Sequence, residues 1–471
     1  MTAFVRPHAA AVVSIAALVI LVYRQTVTFD FVNWDDPWYV LHNPLITSWH
    51  PSNLYRIATS VVTRNYAPLT IFSFLIDHSL WGLWPGGYHL TNVGLHLINA
   101  VLVYVLLLRL TGNRFIAWTT AALFAVHPVH VESVAWISSR KGLLSATFIL
   151  SALICRLRPE RTARQEGFWL LFLAMALLSK AIAVVVPAVA LAYDLLILRR
   201  PVSRAVSEQI VPGFLAVMLL LVTMSAQTTQ TGGVRGHLGM NKAQILAVDT
   251  VIVWRYVGML AHPRDLCVLY DPPTAGIGGL IAAAVAGWLL VGTAVYRYRR
   301  RLPLVTFGVV AFFLFLLPVL NLFPLTTMMN DRYLYLPSIA FFAVVAFGLS
   351  VLWSGICRLG KSLGRMTERE PRRMTSAATI AVGFVVGELL LASVHLSAEQ
   401  LPVWRNGLAL WQHADRHVPE LPVVQIQLAN TLHSLGRKRQ AVTVLNRALR
   451  ETAPDAIDRR RMLEKLKTWR Q

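Results

Sequence analysis

Apolar stretches of about 20 residues recur through most of this chain, and they constrain its fold more than any other feature. A helix of that length crosses a hydrocarbon core of about 30 Å. Because lipid offers no hydrogen-bond partner to backbone groups, each crossing stretch must be a helix. Only 14% of the 471 residues are charged, against about 25% in soluble domains. The sequence therefore predicts an all-α polytopic membrane protein.

Eleven stretches fit such a crossing. They are 9–27, 88–109, 115–131, 137–156, 167–179, 181–198, 207–226, 277–296, 303–322, 336–355 and 376–395. The first lacks a following small-residue cleavage site and is interpreted as a retained helix. The apolar stretch 244–262 contains Asp249 and Arg255, so we interpret it as a re-entrant or interfacial helix. Asp77 interrupts 68–81 and favours the same interpretation there.

Basic residues cluster in the short connections on one side of these stretches. They are Arg6, Arg109, Arg114, Arg156, Arg158, Arg161, Arg164, Arg199, Arg200, Arg204, Arg297, Arg299, Arg300, Arg301, Arg358, Lys361, Arg365, Arg369, Arg372 and Arg373. Positive charge in short loops marks the cytoplasmic side. We therefore place the N-terminus inside. The net charge of +21 is then explained by the orientation of the protein in the membrane, and binding to nucleic acid is not needed to explain it.

This orientation places the unusual polar clusters together on the outer side. The outer segments are 29–87, 128–136, 227–276 and 323–335, with Ser179-Lys180 between two crossings. Their clusters are Asp35-Asp36, His127, His130, Glu132, Lys180 and Asp331-Arg332-Tyr333, with Arg140 and Lys141 slightly inside the next helix. Such a grouping predicts an active site at the outer membrane face.

The pair Asp35-Asp36 directly follows the first crossing. Carboxylates at a membrane surface are costly to keep without a purpose, and they can take a proton from a hydroxyl or hold a metal. We predict that both are catalytic. The alternative is a solvated loop in which the aspartates cap a turn.

The outer cations are candidates for binding a phosphate through charge-assisted hydrogen bonds. In falling order they are Arg332, Lys180, Arg140 and Lys141. The alternatives are that Arg140 and Lys141 extend to the interface and that Arg332 is paired internally.

His127, His130 and Glu132 are candidate metal ligands, but a His-Pro turn at a helix end is more often local capping. Whether the protein needs a divalent cation stays open. Cys155, Cys267 and Cys357 show neither a disulfide framework nor a metal spacing, so we interpret them as packing residues.

The composition changes near residue 398, which predicts a membrane domain at 1–398 and a helical tail at 399–471. The tail follows the small and large spacing of a tetratricopeptide helix pair, at Leu428, Ala429, Leu432, Gly436, Ala441, Leu445, Ala448 and Pro454. One repeat cannot bury its apolar face alone. We expect it to pack on the preceding helix, on the membrane domain or on a second chain, on the non-cytoplasmic side.

Several motifs resemble those of one family. They are Asn33-Trp34-Asp35-Asp36, Tyr66-Ala67-Pro68-Leu69, Gly87-Tyr88-His89-Leu90-Thr91-Asn92, the run from His127 to Lys141, Leu178-Ser179-Lys180, and Asp331-Arg332-Tyr333-Leu334-Tyr335-Leu336-Pro337. The chain resembles the transmembrane and tetratricopeptide-repeat-containing O-mannosyltransferases and, more broadly, the GT-C superfamily of polyprenyl-phosphate-sugar-dependent glycosyltransferases.

The resemblance implies a GT-C-like membrane domain and inverting transfer of a sugar, mannose in the named family, from a polyprenyl-phosphate carrier to a hydroxyl at the non-cytoplasmic face. It implies that Asp35 and Asp36 are the family's acidic motif. Site-lining residues would be His89, His127, His130, Glu132 and Tyr333. The implied partners are the bilayer, the lipid-linked donor, and a protein or peptide acceptor reached through the tail.

Three departures from the family pattern keep other functions open. Ala181 stands where many relatives have Glu, Ala67 stands where they have Arg, and the repeat array is close to a single unit. One alternative is an inactive scaffold that presents its tail, and the other is a transporter of lipid-linked sugar. The sequence lacks an Asn-x-Ser/Thr sequon, which favours a bacterial cytoplasmic membrane.

Overall fold

The computed structural model describes residues 2–63, 65–231, 240–321, 327–363, 370–451 and 457–470. Within these ranges the chain forms helices and connections without a strand, which confirms the all-α prediction. Arg365, Arg369, Pro454 and parts of the outer segments 227–276 and 323–335 lie outside the described residues, as do the side chains of Arg6, Lys361, Arg372 and Arg373.

The first ten α-helices of the described chain lie between residues 2 and 207. They are α1 (Thr2–Tyr23), α2 (Pro51–Thr59), α3 (Pro68–Trp81), α4 (Pro85–Thr111), α5 (Arg114–Val126), α6 (Val131–Ala135), α7 (Arg140–Arg156), α8 (Ala163–Ser179), α9 (Val186–Leu196) and α10 (Val202–Ser207). Short 3₁₀ turns such as Pro128–His130 and Ile137–Ser139 connect some of them.

The remaining helices complete the membrane domain and form the tail. They are α11 (Ile210–Thr231), α12 (Lys242–Ala261), α13 (Gly278–Tyr298), α14 (Pro303–Leu316), α15 (Pro337–Leu363), α16 (Glu370–Gln400), α17 (Gly407–His417), α18 (Pro422–Ser434), α19 (Lys438–Glu451) and α20 (Ile457–Arg470).

Seven described helical segments are long and apolar enough to cross a bilayer, which confirms a multi-pass membrane protein. They are His8–Thr28, Pro85–Thr111, Ile137–Arg156, Lys242–Ala261, Gly278–Tyr298, Pro337–Arg358 and Ser376–Trp404. Four shorter apolar helices accompany them, at Arg114–Val126, Ala181–Leu196, Ile210–Ser225 and Pro303–Val319.

The predicted set of eleven crossings differs from these helices at two places. The stretch 167–179 lies in α8, whose first turn is polar and which is not among these apolar helices, although it runs from the basic end at Arg161 to Lys180 beside the first turn of α7. Its crossing stays a prediction. The stretch 244–262 is one continuous helix, α12, long and apolar enough to cross. Its end reaches the candidate site, because the Leu260 carbonyl lies 3.2 Å from His127 Nε2.

Polar side chains on α4 hold the centre of the helix bundle together. Asn99 Nδ2 donates to the Leu143 carbonyl of α7 (3.0 Å) and to the Tyr335 hydroxyl (3.1 Å). His96 Nδ1 lies 2.8 Å from the same hydroxyl. Such bonds join helices in lipid, where apolar burial provides no drive to associate. They fix α7 and the segment before α15 relative to each other, and both carry candidate site residues.

The basic connections meet at one end of the bundle. Arg109 Nη1 donates to the Ile154 carbonyl (3.0 Å), and Arg199 Nη2 donates to the Arg300 carbonyl (3.3 Å). The 17 residues of α7 separate this end from the polar motifs by about 25 Å. The structure therefore gathers the basic loops at one end and the candidate site at the other.

The tail packs on the membrane domain, which is one of the three arrangements expected for it. The Asp30 amide donates to the Arg405 carbonyl (2.9 Å), and the rings of Trp136 and Trp404 stack at 6.0 Å. Gly436 turns the chain between α18 and α19 with a φ of +77°, a left-handed conformation that suits glycine. The assignment of this pair to a tetratricopeptide repeat stays a prediction.

Candidate active site

Asp36 ties the first outer loop to the turn before α7. Its side chain is buried, and the carboxylate accepts hydrogen bonds from the Val32 amide (2.9 Å), the Ser138 amide (3.0 Å) and Ser138 Oγ (2.5 Å). Burial raises the pKa of Asp36 to about 6, although the bonds from Ser138 and Val32 lower it. This carboxylate is occupied by the protein itself and holds the loop in place.

Asp35, the other member of the pair, faces a different environment. Its side chain is 26% exposed, and Oδ2 lies 3.2 Å from Lys141 Nζ. The described residues donate no hydrogen bond to Oδ1. Lys141 itself lies 4.8 Å from the centroid of the Tyr39 ring and 5.7 Å from that of Trp136. Asp35 is therefore the carboxylate of the pair that a substrate can reach.

Arg332 lies beside this pair and is oriented by Glu132. Arg332 Nη1 donates to Glu132 Oε1, and the Arg332 amide donates to Oε2 at 2.8 Å. The guanidinium carbon lies 5.3 Å from the centroid of the Trp136 ring. Burial alone would lower the pKa of Arg332, but Glu132 raises it above the ordinary range. The guanidinium is therefore a fixed positive charge.

Lys180 completes the cluster from the connection that follows α8. Its Nζ lies 3.7 Å from where a Cβ on Gly142 would stand, so it reaches the first turn of α7. Among the described residues its ammonium has neither an ion-pair nor a hydrogen-bond partner. Burial and, next, the charges of Lys141 and Arg332 lower the pKa of Lys180 to about 7.

We call Lys141, Lys180 and Arg332 the outer cation cluster. The carboxylates of Asp35 and Glu132 face it, so with Lys180 protonated these five groups carry one more positive than negative charge. Lys180 is half-buried, and a cation withdrawn from water without a carboxylate partner is costly to keep charged. An anion such as a phosphate would supply the missing charge.

Arg140 does not join this cluster, although it precedes Lys141 in the chain. Its guanidinium is buried and donates to Asp77 Oδ2 (2.7 Å), the Tyr88 carbonyl (2.9 Å) and Asn92 Oδ1. Adjacent helical residues point about 100° apart, so Arg140 faces α3 and α4. The structure places it in an internal ion pair.

The two histidines of the His127 motif have local partners. His127 Nδ1 accepts from the Val129 amide (3.4 Å), and its Nε2 lies against the Leu260 carbonyl. His130 Nε2 lies 3.3 Å from Ser338 Oγ. With Glu132 engaged by Arg332, no three of these donors form a metal-ligand group in the part of the chain that the structure describes. The geometry favours the capping interpretation of this turn.

The other two predicted site-lining residues flank the site. Tyr333 lies under the Arg332 guanidinium, with 5.3 Å between its ring centroid and the guanidinium carbon. His89 is buried and packs edge-on to Phe29, with ring centroids 6.1 Å apart. Tyr333 therefore borders the outer cation cluster, and His89 packs behind the first outer loop.

Sequence reasoning missed two contributors to the site. Ser138, whose amide and hydroxyl donate hydrogen bonds to Asp36, belonged to a quoted motif, but no role was predicted for it. Asn33 was not predicted to join the tail, yet its Oδ1 accepts a hydrogen bond from Trp411 Nε1 at 2.7 Å. The ring of Trp34 also lies edge-on to Trp411, at 5.2 Å. The tail thus contacts the residues that immediately precede Asp35.

The chain is similar in sequence to protein O-mannosyl-transferases, which confirms the resemblance noted in its motifs. It is 24% identical to the protein O-mannosyl-transferase TMTC1 of Homo sapiens over 502 aligned positions, which cover 91% of this chain and 54% of the human protein. Its identity to TMTC1 of Mus musculus is 34%, over 37% of this chain and 21% of the mouse protein. The chain thus spans about half the length of the human relative. No protein-family model matches it.

Among solved structures, the oligosaccharyltransferase of Archaeoglobus fulgidus superposes with a TM-score of 0.47 and 13% sequence identity. The superposition covers 83% of this chain and 55% of that one.

Proposed function

We propose that this chain, a relative of the protein O-mannosyl-transferases, is a membrane glycosyltransferase. It moves a sugar, mannose by analogy with those relatives, from a polyprenyl-phosphate carrier to a hydroxyl of a protein acceptor. The site faces the non-cytoplasmic side, and a bacterial cytoplasmic membrane is the proposed location. One observation supports this most: Asp35, a partly exposed carboxylate, lies against an outer cation cluster that has an excess of positive charge.

In the proposed reaction Asp35 is the general base. The acceptor oxygen attacks the anomeric carbon of the sugar while its proton passes to the Asp35 carboxylate. The bond from the anomeric carbon to the phosphate oxygen breaks, and polyprenyl phosphate leaves with the bonding electrons. A single displacement of this kind inverts the anomeric centre. General-base assistance contributes about 10²–10⁴-fold to the rate.

The outer cation cluster stabilises the leaving phosphate. Negative charge grows on the phosphate as the bond breaks, so cations at fixed positions act more strongly on the transition state than on the bound donor. Arg332 is held by Glu132, and Lys141 by Asp35. Lys180 has no such partner in the described chain, and we propose that it makes the most direct phosphate contact.

Asp36 acts as a positioning residue. Its three hydrogen bonds fix the backbone on either side of Asp35, and general-base catalysis requires the carboxylate within hydrogen-bond reach of the hydroxyl. A divalent cation remains outside this mechanism, because the donors of the His127 motif are already engaged. We propose that the tail at 399–471 lies on the same face and delivers the acceptor.

The proposal is tested with the full chain reconstituted in lipid nanodiscs. The probe is radiolabelled mannosyl-phosphoryl-polyprenol, with its glucosyl counterpart, and the acceptors are membrane proteins rich in Ser and Thr. Transfer of label to protein and release of polyprenyl phosphate are both measured. We expect Asp35→Asn to lose about 10²–10⁴-fold of transfer while its insertion and donor binding persist.

Asp30→Asn is the matched control, because Asp30 is exposed on the same loop and, among the described residues, its side chain accepts a hydrogen bond only from the adjacent Phe31 amide. It should keep its activity. Unchanged transfer in Asp35→Asn would refute the assigned base. Donor binding without any turnover in the native chain would support the scaffold alternative, and movement of the lipid-linked sugar across the bilayer without release of its carrier would support the transporter.

A further inference from the structure

We propose that Cys267, His413 and His417 bind a zinc-class divalent metal ion that fastens the tail to the outer segment following α12. This site is separate from the proposed transfer site and does not depend on the glycosyltransferase assignment. It also replaces the interpretation of Cys267 as a packing residue.

The three side chains meet in space although Cys267 lies far from the two histidines in the chain. One potential ligand atom from each side chain lies within 4.8 Å of the other two. Among the described residues this is the one group of three such side chains that could hold a metal ion. Thiolate and imidazole are the usual ligands of zinc, which binds them tetrahedrally at about 2.0–2.3 Å. Small rotations of the side chains, about 1 Å at the ligand atoms, would bring them to that geometry.

The two histidines are spaced as a metal pair. His413 and His417 stand one turn apart on α17, and their ring centroids are 4.2 Å apart. Each ring also has one nitrogen against a backbone carbonyl: His413 Nε2 at 3.0 Å from Leu266 and His417 Nδ1 at 2.9 Å from His413. A carbonyl accepts only from a protonated nitrogen, so the opposite nitrogen of each neutral ring carries the lone pair that a metal needs.

Asp265 is placed to serve as a fourth ligand. Its Oδ1 lies 4.0 Å from His417 Nε2. Its φ is +55°, in the left-handed region that non-glycine residues seldom adopt and that is frequent at functional sites. Asp265, His413 and His417 line a groove of about 780 Å³, bordered also by Arg264 and Glu399, so an ion can reach the histidines from solvent, whereas Cys267 is buried behind them.

A metal at this position would connect the tail to the candidate active site. The Cys267 amide donates to the Tyr270 hydroxyl at 2.9 Å, and that hydroxyl donates to Asp331, the neighbour of Arg332. On the tail side, α17 also carries Trp411, which bonds Asn33 two residues before Asp35. The ion would therefore hold both the segment behind Arg332 and the helix that contacts the first outer loop.

The test is metal binding by the full chain in detergent after removal of bound metals with a chelator. We expect one Zn²⁺ or Co²⁺ per chain, and for Co²⁺ an absorption band from thiolate-to-metal charge transfer. Cys267→Ser should abolish that band, and Cys155→Ser, at the opposite end of the bundle, should keep it. Because Cys267 is buried, His417→Gln provides a second variant at a more exposed ligand. It should weaken metal binding by about 100-fold or more.

His395→Gln is the control for His417→Gln, because His395 borders the same groove outside the ligand group. Hydrogen exchange in α17 supplies a readout that does not depend on sugar transfer: added Zn²⁺ should slow it in the native chain and not in His417→Gln. Failure of the native chain to bind stoichiometric metal, or an unchanged band in Cys267→Ser, would refute the site and would leave the proposed transfer reaction untouched.

Discussion

The two ends of α7 each carry a cluster of ionised side chains, and the clusters differ in charge balance. At the basic end the guanidinium groups of Arg156, Arg161 and Arg200 each have a carboxylate within 4 Å. At the other end, the ammonium of Lys180 has none among the described residues. We call the first group the inner ion cluster; its members are Arg156, Arg161, Arg200, Asp194, Glu166 and Glu208.

The inner ion cluster has the features of a structural network. Arg156 and Asp194 are almost fully buried and paired, and Glu208 accepts from Arg156, Arg161 and Arg200. Within this network each buried or half-buried guanidinium has a carboxylate partner, and the further cation beside Glu208, Arg204, is exposed to solvent. The network joins the ends of α7 and α9 and supports the fold at the basic end.

The outer cation cluster leaves one charge unsatisfied. A half-buried cation without a carboxylate partner is costly to keep charged, and ionisable groups near the membrane that persist despite such a cost are mostly functional. The two clusters therefore differ in whether each half-buried or buried cation has a carboxylate partner, and we use that difference to separate the structural cluster from the binding site. Three predictions sharpen this contrast, in order of decreasing effect.

Asp194→Asn should have the largest effect on stability. Removing Asp194 takes away the fully buried partner of Arg156 and leaves it only Glu208, which is shared with Arg161 and Arg200. We therefore expect the free energy of unfolding to fall by about 3–5 kcal/mol. Chemical unfolding in detergent measures this change. Glu166→Gln is the control, because Glu166 is exposed and its pair with Arg161 is worth at most about 1 kcal/mol. Equal effects of the two variants would contradict the structural role of the inner ion cluster.

Lys180→Met should weaken donor binding rather than the fold. A charge-assisted hydrogen bond contributes about 1.5–3 kcal/mol, so the dissociation constant for mannosyl-phosphoryl-polyprenol should rise by about 10–150-fold. Calorimetry in the Asp35→Asn background avoids turnover of the probe. The free energy of unfolding should stay constant or increase, since the substitution removes an unpaired cation. Lys242→Met, at an exposed position on α12, should leave the affinity unchanged.

The smallest predicted effect is the pH dependence of donor affinity. The pKa of Lys180 is lowered to about 7, so its ammonium form is lost as the pH rises through 7, whereas a phosphodiester keeps its single negative charge. Donor affinity should be highest below pH 7 and fall by up to about tenfold per unit above it. Lys180→Arg should remove this dependence because arginine stays charged. A flat profile in the native chain would contradict the assignment.

The lowered pKa of Lys180 also determines how the free energy of unfolding changes with pH. The unfolded lysine keeps its ordinary pKa of 10.5, so between about pH 7 and 10.5 the unfolded chain binds more protons than the folded one. Lys180 therefore makes the free energy of unfolding rise with pH across that window.

The sequence predicted most of the fold because the apolar stretches carry a strong and local signal. It also predicted that Asp35, Lys141, Lys180 and Arg332 would face the same side, since the positive charge of the short loops fixes the side on which each connection lies. Charge counts, however, do not show which face of a helix a residue occupies. Arg140 and Lys141 are adjacent in the chain, and only the position of Asp77 in space decides which of them is paired internally.

Long-range contacts explain what else the sequence did not reveal. The proposed metal-ligand group joins Cys267 to a helix in the tail. Because these residues are far apart in the chain, no local sequence pattern predicts that they lie close together. Charged residues interrupt the apolar run of α12, and for that reason the sequence favoured a re-entrant or interfacial helix over a crossing. In the structure Asp249 accepts hydrogen bonds from Asn321 inside the protein. A buried partner makes such a charge compatible with a long apolar helix.

A structure of the Asp35→Asn chain with mannosyl-phosphoryl-polyprenol bound would test the central claim most directly. The account predicts a phosphate within about 3 Å of Lys180 Nζ and of the Arg332 guanidinium, with the anomeric carbon on the side of residue 35. A phosphate bound beside Arg140, or at the basic end of α7, would contradict it.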